Sequence, residues 1–230
     1  MRSARVTSAH SPLASGDHLT RAEFETRAAA LPDHVKVELL DGEVYLSTST
    51  KADHGDAHAL MTCWLGHYSY ATPRTKVSCR TTLRLDEISQ PQPDVVLRIV
   101  PEAGGHSSVD DEGYLRGPAE LVAEIATSES AIDFHRKKEI YLRNGVLEYV
   151  ILALHEARLS WFAYEGGLYL PLPPDPAGVI RSRVFPGLWL DARAASQGDG
   201  ATVLHVLHRG LAAQTHASFV RGLRAATRRR

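Results

Sequence analysis

Residues 92–141 organise this chain, because their pattern predicts two apolar strands that each carry one carboxylate, followed by a helix that carries lysine. The segments are Gln92-Pro93-Asp94-Val95-Val96-Leu97, Glu120-Leu121-Val122-Ala123-Glu124-Ile125-Ala126 and Ile132-Asp133-Phe134-His135-Arg136-Lys137-Lys138-Glu139-Ile140-Tyr141. Asp94 opens the first strand, and Glu124 lies among apolar residues in the second. Since an isolated carboxylate is costly to bury, Glu124 needs a partner, which can be a metal ion, an arginine or a bound proton.

Asp94, Glu124 and a lysine are the groups required to hold a divalent cation beside a phosphodiester. Mg²⁺ prefers oxygen ligands and usually takes one or two carboxylates together with water and substrate phosphate. The metal and a lysine can then activate a water and offset the charge that gathers on the phosphate oxygens. Ordinary alternatives stay open, since Asp94 could simply start a strand and Lys137 could be a solvated residue or the i−4 partner of Asp133.

Length and composition are those of one sizeable globular domain. The chain has 230 residues, of which 43% are hydrophobic and 23% charged, and its formal net charge is −1. This balance does not favour nucleic-acid binding by overall charge, although an acidic metal site would itself lower the net charge. Cys63 and Cys79 lack the spacing of a metal site, and we expect them to be reduced and buried or half-buried.

Nothing in the sequence predicts insertion into a membrane or export. No apolar run approaches the ~18 residues of a transmembrane helix. The N-terminus is small and polar and lacks the apolar core of a secretory signal. We therefore expect no membrane partner and a cytoplasmic location.

The remaining elements predict a mixed α/β sheet flanked by helices. A capping box formed by Thr20 and Glu23 starts the first helix, and Asp41-Gly42 turns a hairpin. The expected helices cover residues 20–30, 53–70, 132–144 and 201–226, and the expected strands cover residues 35–40, 43–47, 76–85, 94–100, 121–126, 147–154, 158–164, 168–172, 179–185 and 188–190. Residues 121–154 are expected to form a parallel crossover.

We divide the chain into three parts on this pattern. Residues 1–17 form a flexible lead-in, residues 18–195 the main domain, and residues 196–230 a helical C-terminal extension. The C-terminal arginines could touch phosphate, but a solvated end is the preferred interpretation. They are Arg221, Arg224, Arg228, Arg229 and Arg230.

The same residues resemble a known family. Gln92-Pro93-Asp94, the strand with Glu124, and the pattern Asp133…Lys137…Tyr141…Gly145-Val146…Glu148-Tyr149 resemble the Uma-type family of proposed restriction endonucleases, within the PD-(D/E)xK nuclease-like superfamily. Similar stretches extend the resemblance over about residues 18–195: Glu38-Leu39-Leu40-Asp41-Gly42-Glu43, His54-Gly55 and Pro186-Gly187-Leu188-Trp189-Leu190. The resemblance implies a restriction-endonuclease-like mixed β-sheet, a divalent metal (Mg²⁺ or Mn²⁺), a DNA substrate and a homodimer.

The resemblance also implies roles for four residues. Asp94 and Glu124 are metal ligands, Glu38 is an auxiliary acid that takes part through a second metal or a water, and Lys137 is the catalytic lysine. The chain departs from the superfamily pattern at Ala126, which stands two residues after Glu124 where a lysine is expected. The lysine therefore has to come from the following helix.

A helical wheel distinguishes the two neighbouring lysines of that helix. Lys137 lies in an apolar arc with Phe134, Ile140 and Tyr141, so its ammonium has to reach a polar destination near the sheet. Lys138 lies at the edge of the arc and is expected to reach water or a DNA backbone, while Tyr141 is expected to belong to the core. A solvent-facing side is predicted for His135, Arg136, Glu139 and Arg143.

Two other interpretations stay open. His54 and His58 are one helical turn apart, which suits zinc, but no third ligand is evident, and His54 is better placed at the helix start or near the cleft. A non-catalytic DNA-binding or regulatory module on a nuclease fold would also fit the near-neutral charge. The complete set of candidate site residues instead favours a metal-dependent endonuclease that hydrolyses phosphodiester bonds, and that set is Glu38, Asp94, Glu124 and Lys137.

Overall fold

The computed structural model describes residues 12–32, 35–47, 51–127 and 132–226. Its strands are β1 (Lys36–Leu40), β2 (Glu43–Ser47), β3 (Thr75–Cys79), β4 (Leu83–Arg84), β5 (Val95–Ile99), β6 (Ser108–Val109), β7 (Leu115–Arg116), β8 (Leu121–Ala126), β9 (Glu148–Ala153), β10 (Arg158–Glu165), β11 (Leu168–Pro171), β12 (Val179–Arg181) and β13 (Trp189–Asp191). Its helices are α1 (Arg21–Ala28), α2 (Ala52–Ala71), α3 (Lys138–Arg143), α4 (Ala192–Ser196), α5 (Gly200–Leu211) and α6 (Gln214–Ala226), with a 3-10 turn at Pro101–Ala103 and a π-helical turn at Asp133–Lys137.

A six-stranded sheet in the order β11-β10-β9-β8-β5-β3 forms the centre of the fold. β8 and β9 run parallel, and the other neighbouring pairs of this sheet are antiparallel. Every residue of β8 and of β9 is buried, as is usual for strands covered on both faces. The structure thus confirms a mixed α/β sheet flanked by helices, with residues 121–126 as a central strand and a parallel connection to β9.

Alternate residues of the central strands face two separate apolar clusters. One cluster packs α2 against the sheet through Trp64, Leu97 and Val150. The other packs α3 against the opposite face through Val122 and Tyr141. The odd-numbered residues of β5 and β8 therefore face α2, and their even-numbered residues, with Glu124 among them, lie on the side of α3.

A hairpin and a short helix form a smaller unit beside the sheet. The capping box at the start of α1 is confirmed, since Thr20 and Glu23 bond reciprocally to each other's backbone N–H. Asp41 and Gly42 both have positive φ, at 54° and 79°, which is the requirement of the tight turn predicted between β1 and β2. Leu39 bridges to Gln90 in antiparallel fashion, and this contact holds the hairpin near the start of β5.

The single strand predicted over residues 76–85 is instead two strands, β3 and β4, because the first strand ends at Cys79. Arg80 adopts a left-handed conformation with φ 49°, so the chain leaves the central sheet there. β4 then pairs with β7 in a separate three-stranded sheet with β6. Two of those short strands lie within residues 101–118, where the sequence pattern predicted neither helix nor strand.

Cys63 and Cys79 are free thiols, as expected, but the expectation that they are buried or half-buried is wrong, since both are exposed. Cysteine is usually buried, but Cys63 lies on the outward side of α2 and Cys79 ends the edge strand β3. Within the described parts of the chain, no helix is both long and apolar enough to cross a membrane.

The three-part division of the chain stays a prediction. Residues 1–11 of the proposed lead-in lie outside the described residues, and so do residues 227–230, which include the last three arginines. The described end of the lead-in packs on the hairpin, because Leu13 is buried in the cluster with Phe24 and Val44. Gly16 also donates its backbone N–H to the Val44 carbonyl at 2.9 Å.

Candidate active site

Asp94 and Glu124 lie side by side where the pairing of β5 with β8 ends. The register pairs Val95 with Ala123, and one further step brings Asp94 opposite Glu124. The Asp94 backbone N–H donates to Glu124 Oε2 at 3.3 Å, and the Ile125 N–H donates to Asp94 Oδ2 at 2.8 Å. Each carboxylate therefore accepts from the backbone of the other strand, which fixes the orientation of both acids at this edge of the sheet.

Lys137 reaches this pair from the π-helical turn on the α3 side. Its Nζ lies 3.2 Å from Glu124 Oε1 and 2.8 Å from Glu38 Oε1, and the residue is only 1% exposed. The Lys137 N–H donates to the Ile132 carbonyl five residues back, the bond that defines a π turn. The wheel had assumed a regular α-helix, but its expectation that Lys137 turns inward towards the carboxylates agrees with this geometry.

Glu38 approaches the pair from the hairpin. Its Oε1 accepts from the Gln92 backbone N–H at 2.7 Å as well as from Lys137. The residue is buried, at 8% exposure, although a hairpin position of this kind is often at the surface. The structure thus brings all four candidates of the sequence analysis together from separate elements, and they are Glu38, Asp94, Glu124 and Lys137.

Two further residues belong to this cluster and were missed as site residues. Lys36 Nζ lies 3.7 Å from both Glu38 Oε2 and Asp94 Oδ1. The Tyr141 hydroxyl donates to Glu124 Oε1 at 2.7 Å, although only a core position was predicted for this ring. Both had a local signal, since Lys36 shares a strand face with Glu38 two residues on, and Tyr141 follows Lys137 by one helical turn.

The cluster holds its ionised groups through mutual attraction. Burial and nearby Lys137 both lower the pKa of Lys36, but the attraction of Glu38, Glu124 and Asp94 outweighs them and raises it overall. Burial raises the pKa of Asp94, yet Lys36, the Ile125 N–H, Lys137 and His54 together hold it below its usual value. Burial followed by the charge of Glu124 raises the pKa of Tyr141 well above its usual value, so this hydroxyl keeps its proton and remains a donor.

The start of α2 adds two histidines to the edge of the cluster. His54 Nε2 lies 3.7 Å from Asp94 Oδ2, and His58 Nε2 lies 3.0 Å from the Asp94 backbone oxygen. His54 therefore lies near the acid cluster, which agrees with one of the two positions that the sequence analysis gave for it, the helix start or the proposed cleft. Among residues 12–32, 35–47, 51–127 and 132–226, no three His, Cys, Asp or Glu side chains are grouped so as to hold a metal ion, and the zinc interpretation finds no third ligand there.

Comparison with known proteins identifies the family of this chain. The family model described as "Uma2: Putative restriction endonuclease" matches residues 21–193. The chain belongs to the Uma2 family. Its fold is similar to that in a crystal structure of a putative nuclease belonging to DUF820 from Anabaena variabilis ATCC 29413, with a TM-score of 0.54 and 9% sequence identity over 69% of this chain and 88% of that chain. None of the curated proteins matches the chain. Membership of Uma2 and the nuclease-like fold together support a nuclease function.

In this Uma2 protein, the oxygen ligands of the Asp94–Glu124 pair suit a divalent cation. Asp94 and Glu124 present adjacent, oriented carboxylates, and hard cations such as Mg²⁺ prefer oxygen ligands of this kind. The three carboxylates and two ammonium groups of the cluster leave one negative charge in excess. The chemistry and the charge of the residues therefore fit a bound divalent ion on the Asp94–Glu124 pair.

The lysine and arginine on either side of Lys137 also contact other side chains. Lys138 Nζ lies 3.5 Å from the centre of the Phe162 ring, and partial burial lowers its pKa. Arg136 donates to Glu43 Oε2 at 2.6 Å and contacts the Tyr45 hydroxyl. Lys138 is half-buried, which agrees with its predicted place at the edge of the apolar arc, and its contact with DNA stays a prediction.

Proposed function

We propose that this Uma2 protein is a metal-dependent endonuclease that uses Mg²⁺ or Mn²⁺ to hydrolyse phosphodiester bonds of DNA. The buried ammonium of Lys137 between Glu38 and Glu124 carries the proposal. A buried network of charges is costly to desolvate, and apolar residues of similar volume often stabilise a fold as well or better. A fold that needed only stability would have little reason to keep it, whereas phosphodiester hydrolysis needs these groups.

In this proposal Asp94 and Glu124 hold the cation, and Lys137 acts on the water and the phosphate. A bound divalent ion lowers the pKa of a water and offsets charge on phosphate oxygens. The ammonium of Lys137, beside Glu124, donates a hydrogen bond that orients the attacking water oxygen towards phosphorus. As the new P–O bond forms, the attacking water gives up a proton to the solvent, one ester P–O bond breaks, and the departing oxygen takes up a proton from the solvent. The Tyr141 hydroxyl keeps the Glu124 carboxylate oriented through this step.

DNA as the substrate and pairing of two chains are further parts of the proposal, supported by the family resemblance. A cytoplasmic location is also part of it, and the free thiols of Cys63 and Cys79 suit that compartment. Pairing of two identical chains would let both strands of a duplex be reached. The near-neutral net charge makes local cations more important than overall charge for binding a phosphate backbone.

Plasmid cleavage tests the proposed function. Supercoiled plasmid is incubated with the protein and Mg²⁺ or Mn²⁺, with EDTA as the metal-free control. Lys137→Met and Glu124→Gln should lower the cleavage rate by at least about 100-fold, the usual effect of losing one group that stabilises charge in a transition state. Lys138→Met is the matched control, because its ammonium lies on Phe162, and should cleave at nearly the wild-type rate.

Two results would contradict the proposal. Equal cleavage by the wild type, Lys137→Met and Glu124→Gln would show that the activity arises elsewhere. Tight DNA binding without any metal-dependent cleavage would instead favour the non-catalytic DNA-binding alternative. Melting curves for each variant confirm that loss of cleavage is not loss of fold.

A further inference from the structure

Glu38 differs from the other two acids of the site in what its oxygens contact. Oε1 accepts from Lys137 Nζ at 2.8 Å and from the Gln92 N–H at 2.7 Å, and Oε2 lies 3.7 Å from Lys36 Nζ. Both oxygens of Glu38 thus face ammonium groups. Lys36 and Lys137 come from different elements, β1 and the π-helical turn, and Glu38 is the acid that contacts both.

Asp94 and Glu124 are instead joined to each other through the central strands. Each accepts from the backbone of the other strand, and each also contacts one lysine, Asp94 at 3.7 Å from Lys36 Nζ and Glu124 at 3.2 Å from Lys137 Nζ. Among the described residues, no three His, Cys, Asp or Glu side chains are placed so that they could hold one metal ion. Glu38 therefore differs from the other two acids in contacting both lysines, whereas Asp94 and Glu124 form a pair through the two strands.

We propose that Glu38 is a positioning residue that holds the ammonium groups of Lys36 and Lys137, and that a single divalent cation binds to Asp94 and Glu124 without Glu38. The inference rests on the proposed metal-dependent function and refines it. It replaces the role of Glu38 through a second metal or a water, which the sequence analysis gave as alternatives, and it assigns Lys36 as a second lysine of the site.

The two ammonium groups make coordination of a metal by Glu38 unfavourable. Oε1 already accepts from Lys137 at 2.8 Å, and Oε2 faces Lys36 at 3.7 Å. A cation bound to Glu38 would therefore lie beside both positive charges, and like charges at such short range repel strongly. Glu38 therefore contributes more by holding the lysines than it could as a ligand.

The charge of the cluster also favours one cation over two. With Lys36 and Lys137 in place, the three acids leave an excess of one negative charge. One divalent ion changes this to an excess of one positive charge, which suits an anionic phosphodiester. A second ion would bring the excess to three positive charges, with the two ammonium groups included in that sum, and like charges at such short range repel strongly.

Binding of Mn²⁺ alone to the full chain tests this inference without any substrate. Titration calorimetry, with electron paramagnetic resonance to count bound Mn²⁺, should give one ion per wild-type chain. Glu38→Gln should still bind one ion with a dissociation constant within about threefold of the wild type. Asp94→Asn, a matched change of one oxygen to nitrogen, should weaken binding by at least about tenfold.

Measuring the cleavage rate and the metal affinity separately distinguishes a positioning role of Glu38 from a general structural role. At saturating Mn²⁺, Glu38→Gln should cleave plasmid at least about tenfold more slowly while its Mn²⁺ affinity stays near the wild-type value. Lys36→Met provides a second variant if Glu38→Gln does not fold. It should bind Mn²⁺ as tightly as the wild type or more tightly, because a positive charge beside Asp94 is removed.

Several outcomes would overturn the inference. Two Mn²⁺ ions per wild-type chain would do so, as would a tenfold loss of Mn²⁺ affinity in Glu38→Gln or in Lys36→Met. A wild type that binds no Mn²⁺ would sink both this inference and the metal-dependent function. A wild type that binds one Mn²⁺ on Asp94 but cleaves no DNA would contradict the proposed function and leave the assignment of the ligands standing.

Discussion

Lys137 and Lys138 are adjacent in sequence but lie in opposite environments. The ammonium of Lys137 is enclosed by Glu38 and Glu124, whereas that of Lys138 lies over the Phe162 ring. The ammonium of Lys137 loses its hydration and gains carboxylate partners, whereas that of Lys138, on an aromatic face, keeps part of its contact with water. A single helical step therefore separates a candidate catalytic group from a packing residue.

The hydroxyl of Tyr141 gives a residue-scale prediction. Tyr141→Phe removes the hydrogen bond to Glu124 Oε1 but keeps the ring in the core. Losing a group that orients a metal ligand usually weakens metal binding by about 10–100-fold, so we expect Mn²⁺ affinity to fall by at least about tenfold.

Tyr169→Phe is the control for this change. It also loses a buried hydroxyl hydrogen bond, to the Val146 carbonyl at 2.8 Å, but lies outside the acid cluster. Calorimetric titration with Mn²⁺ should show wild-type affinity for Tyr169→Phe. Equal affinity in Tyr141→Phe and the wild type would remove Tyr141 from the site.

At the scale of elements, β3 carries an arginine at each end. Arg80 follows the strand directly beside the acid cluster, since its backbone N–H donates to the Asp94 carbonyl at 3.0 Å. Arg74 precedes the strand at its other end, about 20 Å away at ~3.3 Å per residue. Both are exposed with positive φ, which makes them a matched pair.

We expect Arg80 to contact the DNA backbone beside the cleavage site. Arg80→Ala should weaken DNA binding and reduce the slope of log affinity against log salt concentration by about one, the effect of losing one phosphate contact. Arg74→Ala should leave both quantities near the wild-type values. Fluorescence anisotropy with a labelled duplex in Ca²⁺ at several salt concentrations measures them, and identical slopes for the two variants would count against this contact.

Glu148 at the start of β9 holds the segment that leads towards β13. Its carboxylate accepts from Trp161 Nε1, Ser182 Oγ and the Arg183 and Val184 N–H groups. Burial raises its pKa to about 7 and outweighs the opposing effect of these donors. An acid whose pKa is raised by folding stabilises the fold at pH values below its pKa in the unfolded chain, here 4.5. That contribution is lost as the pH rises through its pKa in the folded chain.

The pH dependence of unfolding tests this effect. Between about pH 5 and about pH 8, the free energy of unfolding of the wild type should fall relative to that of Glu148→Gln by up to about 3 kcal/mol, since one pKa unit is worth about 1.4 kcal/mol. Taking the difference between the two proteins cancels the histidines that both contain. A difference that stays constant over this range would show that Glu148 does not titrate there.

At the scale of the whole molecule, the site couples metal binding to stability. A cation that binds the folded chain and not the unfolded one raises the free energy of unfolding by about 2.7 kcal/mol at 100 times its dissociation constant. Mn²⁺ should therefore raise the melting temperature of the wild type in scanning calorimetry. In Asp94→Asn this rise should disappear, whereas Asp86→Asn, which changes an acid held by Asn144 outside the cluster, should keep it. A rise that persists in Asp94→Asn would place the ion elsewhere.

Local signals in the sequence determined much of the fold. The capping box at Thr20 and Glu23, the turn at Asp41-Gly42 and the apolar run of β8 were predictable because each has its physical cause within a few residues. The pattern of apolar strands with one carboxylate each gave the candidates Asp94 and Glu124, the resemblance to the Uma family assigned them as metal ligands, and the helical wheel chose Lys137 over Lys138. Their roles in catalysis remain predictions.

Only the tertiary structure decided how these residues meet. Lys36 joined the site because the hairpin is bridged to the segment before β5, and Glu38 turned to the lysines because two elements bring an ammonium to each of its oxygens. The end of β3 before Arg80 depends on which strands pair. The exposure of Cys63 and Cys79 likewise depends on which strands pair and which helix face is covered. Contacts between residues far apart in the chain are set by the packing of whole elements, and a local pattern of residue types does not contain that information.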